Sequence, residues 1–520
     1  MKQTDPADRA RRRTVSVHAL GCKANLEEME CLLSQLADAG YEVVRFGEPA
    51  DWTIVNTCTV TGAADSDSRQ FLRRAAARSG RVVATGCLAQ RSPDALASLE
   101  GVSWVVGNQE KPDLAQWILD TDSAGSDPLG RFARESNGSH GSAGGRESGA
   151  SHGPSHGSDL ALGGRATARS RAEDVVVRVG ADPTLTRFAS YGSGTEGRRT
   201  RATLKIQDGC DEHCTFCVIP QVRGASRSRS LESVLTEAER LAASGYREIA
   251  LTGINTALWG HDLAPPCALP ELLRALGEVP GIARIRLNSI EPQYLCDEWI
   301  EAIGANPRVC RHLHLPLQSG DAAVLKRMNR RYTPSHYARM AERAAARIPE
   351  LAIGADVLVG FPGETELQFE NTRSFLASLP LAYLHVFTYS ERPDTPAPRL
   401  GEEVPVEERK RRSSLLRALG SELRAGFLRR LEGTEQQVLP EAPSGPEHWQ
   451  GLTDNYARVR FRSEGVAENR LYRVRLGSGG STMLSGTLIE DRAFVDPHTR
   501  GSVGPGSGSA RAGTQENVPS

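Results

Sequence analysis

The sequence lacks any long apolar run. No stretch approaches the roughly 18 consecutive apolar residues of a membrane-spanning helix, and the opening MKQTDPADRARRR lacks the apolar core of a signal peptide. We therefore expect a cytoplasmic protein with no membrane segment. The chain also has very little net charge, since the formal value is −1 and the pI is near 6.9. The overall balance predicts neither nucleic-acid nor membrane-surface binding, so such a function would depend on local charge.

Cysteine is present in a number that demands an explanation, because the chain has ten of these residues. In a reducing compartment a disulfide framework is not expected, so closely spaced cysteines are better interpreted as metal ligands or catalytic thiols. Four cysteines lie in no motif and are expected to be ordinary buried or surface thiols: Cys31, Cys267, Cys296 and Cys310. The remaining cysteines fall into two groups of three.

The first part of the chain predicts an α/β domain followed by a segment that cannot fold. Across 14–118, strand-like runs alternate with helical periodicity, which indicates a small parallel α/β domain. Asn25 is the predicted N-cap of its first helix. Residues 119–196 are rich in Gly, Ser, His and Arg and cannot bury enough apolar area to offset chain entropy. A disordered insert or linker is therefore expected there.

Residues 197–430 predict a barrel of alternating strands and helices. Its six strand-like runs are TLKIQD, EIALTG, RIRLNS, RHLHLPL, IGADVLV and YLHVFTY. Such repeats indicate a parallel barrel or partial barrel, with the active site at the carboxyl ends of the strands. Residues 431–495 alternate without helical period and predict a small β-barrel, whereas 1–13 and 496–520 are expected to be disordered.

The tightest cysteine motif is CDEHCTFC, which contains Cys210, Cys214 and Cys217. Its C-x3-C-x2-C spacing lets one loop hold three corners of a cubane iron–sulfur cluster, for which thiolate is the usual ligand. Because Cys210 follows the first barrel strand, the loop belongs to the predicted active-site edge. The alternatives are a redox dithiol and a zinc site, and zinc would want a fourth protein ligand. His213 is available but lies inside the loop, where joint ligation would be sterically awkward.

Three further cysteines each end a predicted strand of the first domain. Cys22 follows VSVHALG, Cys58 follows TIVNT, and Cys87 follows RVVATG. The carboxyl ends of parallel strands meet at one edge of a sheet, so residues distant in sequence converge there. Three unrelated buried cysteines, the alternative, would have no reason to favour strand ends. The sequence therefore predicts a second site with three thiolates and one vacancy.

The CDEHCTFC motif resembles the signature of the radical S-adenosylmethionine (SAM) superfamily. With the second cysteine group, the chain resembles the methylthiotransferases of that superfamily from about residue 14 to 495. The resemblance implies two [4Fe–4S] clusters and SAM as cofactors. One cluster, on Cys210, Cys214 and Cys217, would cleave SAM to a radical, and the other, on Cys22, Cys58 and Cys87, would carry the sulfur that is methylated and inserted. An electron donor such as flavodoxin or ferredoxin, and a sulfur source, are implied partners.

Several short sequence motifs also resemble those of one branch of that family. GCKAN, NTCTVT, DVLVGFPGET and VFTYSERPDTPAP are similar to the branch acting on N6-threonylcarbamoyladenosine in tRNA. This implies methylthiolation at C2 of that nucleoside, next to the anticodon at tRNA position 37. The branch acting on isopentenyladenosine tends to read GCQMN, and the one acting on an aspartate of ribosomal protein S12 reads CPKN. The chain departs from its branch in the long insert and in Asn288, where serine is usual.

Two alternatives to this acceptor stay open within the family, namely isopentenyladenosine and the S12 aspartate. A third alternative belongs to another class, a non-catalytic iron–sulfur protein that binds RNA or senses redox state. Cleavage of SAM by the reduced protein would separate the enzyme from that last alternative.

Contacts to RNA and to SAM are predicted from position. TDNYARV resembles the start of the RNA-binding TRAM domain, and Tyr456 within it is a candidate for base stacking. Five arginines suit the phosphates of tRNA, although a solvated face is the alternative: Arg458, Arg460 and Arg462 on one strand face, and Arg473 and Arg475 on a neighbouring strand.

SAM contacts are assigned by resemblance to the ends of the second, fourth and fifth barrel strands. The candidates are Thr252, Gly253, Asn255, Gln318, Asp356 and Glu364. Arg223, Arg227 and Arg229 could steer the carboxylate of SAM or a phosphate. Ordinary loop or barrel packing is the alternative for every one of these residues.

Overall fold

A computed structural model describes residues 12–124, 175–180, 200–462 and 465–490. Most of the predicted insert and both predicted disordered termini, apart from residues 12 and 13, lie outside the described residues. Within the described ranges, no helix is both long enough and apolar enough to cross a membrane.

The N-terminal domain is a six-stranded, entirely parallel sheet in the order β2-β1-β3-β4-β5-β6. Helices cover both faces, so the central strand β3 is buried at nearly every position. This confirms the predicted parallel α/β domain. The strands are β1 Thr14–Ala19, β2 Glu42–Val43, β3 Ala50–Thr57, β4 Ser79–Gly86, β5 Trp104–Val106 and β6 Val176–Arg178; the helices are α1 Lys23–Asp38, α2 Gly62–Ala76, α3 Cys87–Arg91, α4 Pro93–Ala97 and α5 Leu114–Ala124.

The first helix begins earlier than predicted. Helix α1 starts at Lys23, directly after Cys22, so Asn25 is not its N-cap. The Asn25 side-chain amide instead donates to the carbonyls of Leu20 at 2.8 Å and Thr57 at 3.1 Å. Asn25 therefore ties together the two strand ends that precede Cys22 and Cys58, a tertiary role that local capping statistics do not reveal.

The segment predicted as an insert contributes to this sheet. Helix α5 continues to Ala124, and β6 pairs in parallel with β5 at the sheet edge. The short run VVVRV is apolar enough to form an edge strand, but its signal is lost when composition is averaged over the Gly- and Ser-rich residues around it.

The central domain is the predicted partial barrel of six parallel strands. They form two three-stranded sheets, β11-β10-β7 and β12-β13-β14, joined by isolated bridges such as Ser289–His314. Edge strands β7 and β14 do not pair with each other among the described residues, so the barrel is open on that side. The strands are β7 Arg201–Lys205, β10 Glu248–Thr252, β11 Arg284–Leu287, β12 His312–His314, β13 Ala352–Val359 and β14 Tyr383–Thr388, with the short pair β8 Gln207–Asp208 and β9 Arg227–Ser228.

Seven helices accompany the barrel strands in the described residues: α6 Ile219–Arg223, α7 Leu231–Ala243, α8 Leu269–Gly277, α9 Asp297–Ala305, α10 Ala322–Arg327, α11 Pro334–Arg347 and α12 Glu366–Ser378. The apolar positions of the strands pack in the core beneath these helices, as Leu313 and Ile353 do. Strand alternation consequently points His314, Asp356 and His385 into the barrel interior.

The C-terminal domain is a closed five-stranded β-barrel in the order β15-β16-β17-β19-β18, which confirms the predicted small barrel. Strand β19 pairs in parallel with β17 and lies between β17 and β18. The expectation that Arg473 and Arg475 lie on a strand neighbouring Arg458 is therefore wrong. The elements are α13 Val406–Leu431, which precedes the barrel, β15 Glu435–Pro443, β16 His448–Thr453, β17 Arg458–Arg462, β18 Tyr472–Gly479 and β19 Leu484–Glu490.

Candidate active site

The three N-terminal cysteines follow three adjacent strands at one edge of the sheet. Cys22 follows β1, Cys58 follows β3, and Cys87 begins α3 after β4. Gly21 has φ +86°, and a Cβ there would lie 2.6 Å from the Cys58 sulfur. Only glycine lets the chain pass this close, so Gly21 brings the segment carrying Cys22 against Cys58.

The environment of these thiols fits a metal cluster. Burial, together with repulsion from the neighbouring Cys87 and Cys22 thiols, raises the pKa of Cys58 to about 11, because thiolate charges without a metal repel each other. Metal binding removes that penalty by neutralising the thiolates. The Asn108 amide lies 3.8 Å from the Cys87 sulfur and also donates to the Val222 carbonyl at 2.8 Å, so it links this site to the barrel.

The other three cysteines lie in one loop between β8 and α6. The backbone amide of Glu212 donates to the Cys210 sulfur at 3.4 Å, and that of Ile219 donates to the Cys217 sulfur at 3.5 Å. The Arg330 guanidinium donates to the Cys214 sulfur at 3.3 Å. Burial raises the pKa of Cys210 and of Cys217 to about 12, so these thiols too require a cation to ionise. Donors aimed at sulfur fit the ligands of an iron–sulfur cluster.

Arg330 is a site residue that sequence reasoning missed. It pairs with Glu291, and its guanidinium lies over the Tyr332 ring at 5.1 Å from the centroid. Glu291 belongs to the NSIEP motif, but nothing in the local sequence NRRYT distinguishes Arg330 from a surface arginine.

A buried ionic network lies between the N-terminal domain and the barrel. The Glu28 carboxylate accepts from Lys205 at 2.6 Å, Lys111 at 2.7 Å and Arg223 at 3.0 Å. Burial opposes ionisation, but Arg223, Lys111 and Lys205 outweigh it and hold the pKa of Glu28 well below its ordinary value. Glu28 lies on the helix that begins after Cys22, so the network anchors that helix to the barrel.

Asp208 extends the network to the other cysteine loop. It accepts from Arg223 at 2.8 Å, Lys205 at 2.9 Å and Arg227 at 3.0 Å, and it lies two residues before Cys210. Arg223 and Arg227, predicted as possible SAM or phosphate contacts, are thus engaged in a buried network. Arg229 likewise bonds Ser233 and pairs with Glu237.

Replacing Glu28 by glutamine should destabilise the protein strongly, because three cations would lose their shared carboxylate. Breaking a buried pair in this way typically costs about 3–5 kcal/mol. Chemical denaturation of the anaerobically prepared protein measures the loss. Glu301→Gln is the matched control, since Glu301 pairs with Arg347 on the surface, and should change little. Equal stability of both variants would contradict the structural role of the network.

The predicted SAM residues lie in three places: at the end of β10, around Gln318 and Asp356, and at Glu364. Thr252 is the last residue of β10, and Gly253 and Asn255 follow it. A Cβ on Gly253 would lie 2.8 Å from the Gln207 side-chain oxygen. The Asn255 side chain is buried, and neither of its amide atoms has a hydrogen-bond partner among the described residues. An orphaned buried amide fits a polar ligand such as SAM.

The remaining predicted SAM residues are more constrained. Gln318 has φ +66°, and its backbone amide donates to the Asp356 carbonyl at 2.8 Å. The Glu364 carboxylate accepts from the Gly360 amide at 2.7 Å and from Arg412 at 2.8 Å. It therefore connects a barrel loop to α13.

The Asp356 side chain belongs to a polar group in the barrel interior. Asp356 Oδ1 lies 2.8 Å from His314 Nε2 and 3.9 Å from His385 Nδ1. The Ser289 hydroxyl lies 2.7 Å from His314 Nδ1. Atoms of His314, Asp356 and His385 also lie within 4.8 Å of one another, a spacing that a metal ion would accept. The sequence did not point to these histidines, because they meet only when β12, β13 and β14 pair.

The predicted arginine row is only partly continuous. Strand alternation exposes Arg458, Arg460 and Arg462 on one face of β17, whereas Arg473 and Arg475 both pair with Glu435 at 2.6 and 2.8 Å. Tyr456 turns away from this row toward the central barrel. Its ring centroid lies 4.6 Å from that of His312, and the Arg286 guanidinium lies 5.3 Å from it.

Two family models and a set of relatives match this chain. The Radical SAM superfamily matches residues 204–376, and the Uncharacterized protein family UPF0004 matches residues 14–107. Threonylcarbamoyladenosine tRNA methylthiotransferase MtaB of Bacillus subtilis (strain 168) is 34% identical over 92% of this chain and 96% of its own length. This chain belongs to the radical SAM methylthiotransferase family. Such enzymes use SAM and [4Fe–4S] clusters, as the sequence predicted.

Another relative of this methylthiotransferase is named for a different substrate, and a solved structure shares its fold. Ribosomal protein uS12 methylthiotransferase RimO of Geobacter sulfurreducens is 34% identical over 83% of this chain and 87% of its own length. The radical SAM methyltransferase TsrM of Kitasatospora setae, solved with cobalamin and a [4Fe–4S] cluster, has a TM-score of 0.50 at 19% identity and covers 74% of this chain and 77% of its own. The TsrM similarity concerns the fold alone.

Proposed function

We propose that this protein is a tRNA methylthiotransferase that modifies C2 of N6-threonylcarbamoyladenosine at tRNA position 37. The observation that carries the proposal is the presence of two three-thiol sites, one on each of two domains joined by a buried ionic network. A single site would serve radical chemistry alone. Two sites, each with three protein thiols, suit a reaction that both activates a carbon and delivers sulfur to it.

The two sites take different roles in this proposal. Cys210, Cys214 and Cys217 hold the cluster beside the orphaned Asn255 amide, which would contact SAM. Cys22, Cys58 and Cys87 hold the other cluster. When bound, SAM and the two clusters supply the radical-generating cleavage, the methyl group and the sulfur that is transferred. Arg330 orients Cys214, and the Glu28 network fixes how the two cysteine loops face each other.

Two observations, both of sequence similarity, support the acceptor. The MtaB relative of B. subtilis is named for threonylcarbamoyladenosine and matches almost the whole chain. The local motifs resemble the same branch. The S12 aspartate is the second candidate, because the RimO relative is equally identical, although over a smaller share of the chain.

The test of this function is nucleoside mass spectrometry of tRNA from cells with and without the gene. Loss of 2-methylthio-N6-threonylcarbamoyladenosine, with accumulation of its precursor, is the expected result. An unchanged nucleoside would contradict the acceptor. A methylthio mass on S12 that depends on the gene would then favour the second candidate.

We also infer that the Arg458 face of the C-terminal barrel contacts tRNA phosphates. Arg458, Arg460 and Arg462 point outward from one strand and would meet an RNA backbone together. Replacing Arg458 and Arg460 by glutamine should weaken tRNA binding and reduce the slope of log affinity against log salt by about 1.4–1.8, because each phosphate contact contributes roughly 0.7–0.9. Arg373→Gln, on the surface of α12, is the control. An unaltered salt slope would leave the row as a solvated face.

A further inference from the structure

An exposed aromatic ring lies on the inner wall of the central barrel. Phe387 is 44% exposed on β14, although Leu384 and Val386 of the same strand pack against the barrel core. Because side chains alternate along a strand, Phe387 shares the inward face of β14 with His385. This strand borders the open side of the barrel, so a ligand that enters there can reach the ring.

The ring lies at the level of the barrel cysteine loop. Phe387 pairs in register with Leu358 of β13, and paired residues of neighbouring strands point to the same face. Leu358 belongs to the hydrophobic cluster against which Phe216 packs. Since Phe216 lies between Cys214 and Cys217, Phe387 is close to the site proposed to generate the radical.

The loop after β14 approaches the N-terminal domain beside its own cysteine group. The Gly62 amide donates to the Ser390 hydroxyl at 2.9 Å, and Ser390 is three residues after Phe387. Gly62 is four residues after Cys58, and between them Val60 is 54% exposed. Two exposed apolar side chains, Val60 and Phe387, therefore flank one hydrogen bond between the domains.

Two ion pairs hold this loop in place. Arg392 donates to the Asp65 carboxylate at 2.7 Å, and both side chains are mostly buried. Arg91 donates to the Asp394 carboxylate at 2.9 and 2.7 Å. The loop is thus fixed to the N-terminal domain before any ligand binds, so little conformational entropy is lost when a ligand meets the neighbouring apolar side chains.

The ring is separated from the residue that contacts SAM in the proposed function. Asn255 follows β10, which belongs to the three-stranded sheet β11-β10-β7, whereas β14 belongs to the other sheet of the barrel. Asn255 and Phe387 therefore lie on different walls of the barrel. This separation favours a second ligand, rather than the adenine of SAM, as the partner of the ring.

We propose that Phe387 stacks on the adenine of the acceptor nucleoside and that Val60 contacts the opposite face of the same base. This rests on the proposed function, in which an adenosine must come within reach of both cysteine groups. Aromatic side chains bind unpaired RNA bases by stacking, and enzymes that act on a base draw it out of its stack. A base held between β14 and the segment after Cys58 lies between the radical-generating and the sulfur-donating sites.

The test measures how tightly the reconstituted enzyme binds two RNA stem-loops. One carries threonylcarbamoyladenosine at the acceptor position, and the other carries an abasic site there. The wild-type enzyme should prefer the stem-loop that has the base. Phe387→Ala should reduce that preference by about 5- to 100-fold, because stacking of one base on an aromatic side chain has an effect of this size.

Further variants make the comparison specific. Phe387→Tyr keeps the ring and should retain the preference, whereas Phe387→Leu keeps apolar volume without an aromatic face and should lose most of it. Val60→Ser should lower the preference less, because an aliphatic side chain covers less of a base than a ring does. Leu367→Ala, at a leucine of α12 that is 72% exposed, is the control and should change nothing. The ratio of the two affinities is taken within each variant, so a general loss of cluster content does not imitate the effect.

The affinity for SAM separates the two adenines, and Phe387→Ala should leave it unchanged. Weaker SAM binding with the RNA preference intact would place the ring on SAM and overturn the inference. A Phe387→Ala variant that keeps the full preference for the base also overturns it and leaves the proposed function standing. A wild-type enzyme that does not methylthiolate the threonylcarbamoyladenosine stem-loop overturns the proposed function, and the inference with it.

Discussion

Replacing Cys214 by alanine is expected to abolish reductive cleavage of SAM. The change removes one of three thiolates from the barrel loop and leaves the Arg330 guanidinium without its sulfur partner. The N-terminal site does not share any ligand with this loop, so about four irons per chain should remain. Iron analysis and the yield of 5′-deoxyadenosine from the reduced, reconstituted protein measure the two effects together.

Cys296→Ala is the matched control for that experiment. Cys296 is an exposed cysteine outside both groups, so its replacement should alter neither iron content nor SAM cleavage. If Cys214→Ala still forms deoxyadenosine at the wild-type rate, the barrel cysteines do not hold the radical-generating cluster.

Replacing Cys58 by alanine is expected to separate the two halves of the reaction. Cys58 is buried against Gly21 at the end of β3, so alanine removes a thiolate from the N-terminal site while the barrel site keeps all three of its own. Methylthiolated product should disappear, deoxyadenosine should still form, and iron should fall by about four per chain.

The contrast between the two cysteine variants is more informative than either alone. Loss of deoxyadenosine in both would mean that the sites depend on each other for loading or stability. Unchanged methylthiolation by Cys58→Ala would contradict the assignment of the sulfur-donating cluster to the N-terminal domain.

Much of this architecture follows from local patterns. The cysteines Cys22, Cys58 and Cys87 end predicted strands, and parallel pairing alone brings such ends together. The six strand-like runs of the barrel likewise predicted its strands, because a buried parallel strand appears in the sequence as a short, largely apolar segment. The C-x3-C-x2-C loop needed no tertiary information, since its spacing already limits the chemistry.

The rest depends on contacts between residues far apart in the chain. Glu28 meets Lys205 and Arg223 across 177 and 195 residues, and an isolated glutamate in a helix carries no sign of such a partner. Lys23 meets Asn288 across 265 residues in the same way. Strand order in the last barrel also escaped prediction, because β19 inserts between β17 and β18 after both are complete in sequence.

The central claim is that threonylcarbamoyladenosine in tRNA is the acceptor, and a competition assay tests it most directly. The reconstituted enzyme would be given equal amounts of a threonylcarbamoyladenosine stem-loop, an isopentenyladenosine stem-loop and ribosomal protein S12, and each would be analysed by mass spectrometry for an added methylthio group. We predict that the group is found on the threonylcarbamoyladenosine stem-loop and on neither competitor. A methylthio group on isopentenyladenosine or on S12, with the threonylcarbamoyladenosine stem-loop unmodified, would contradict the account.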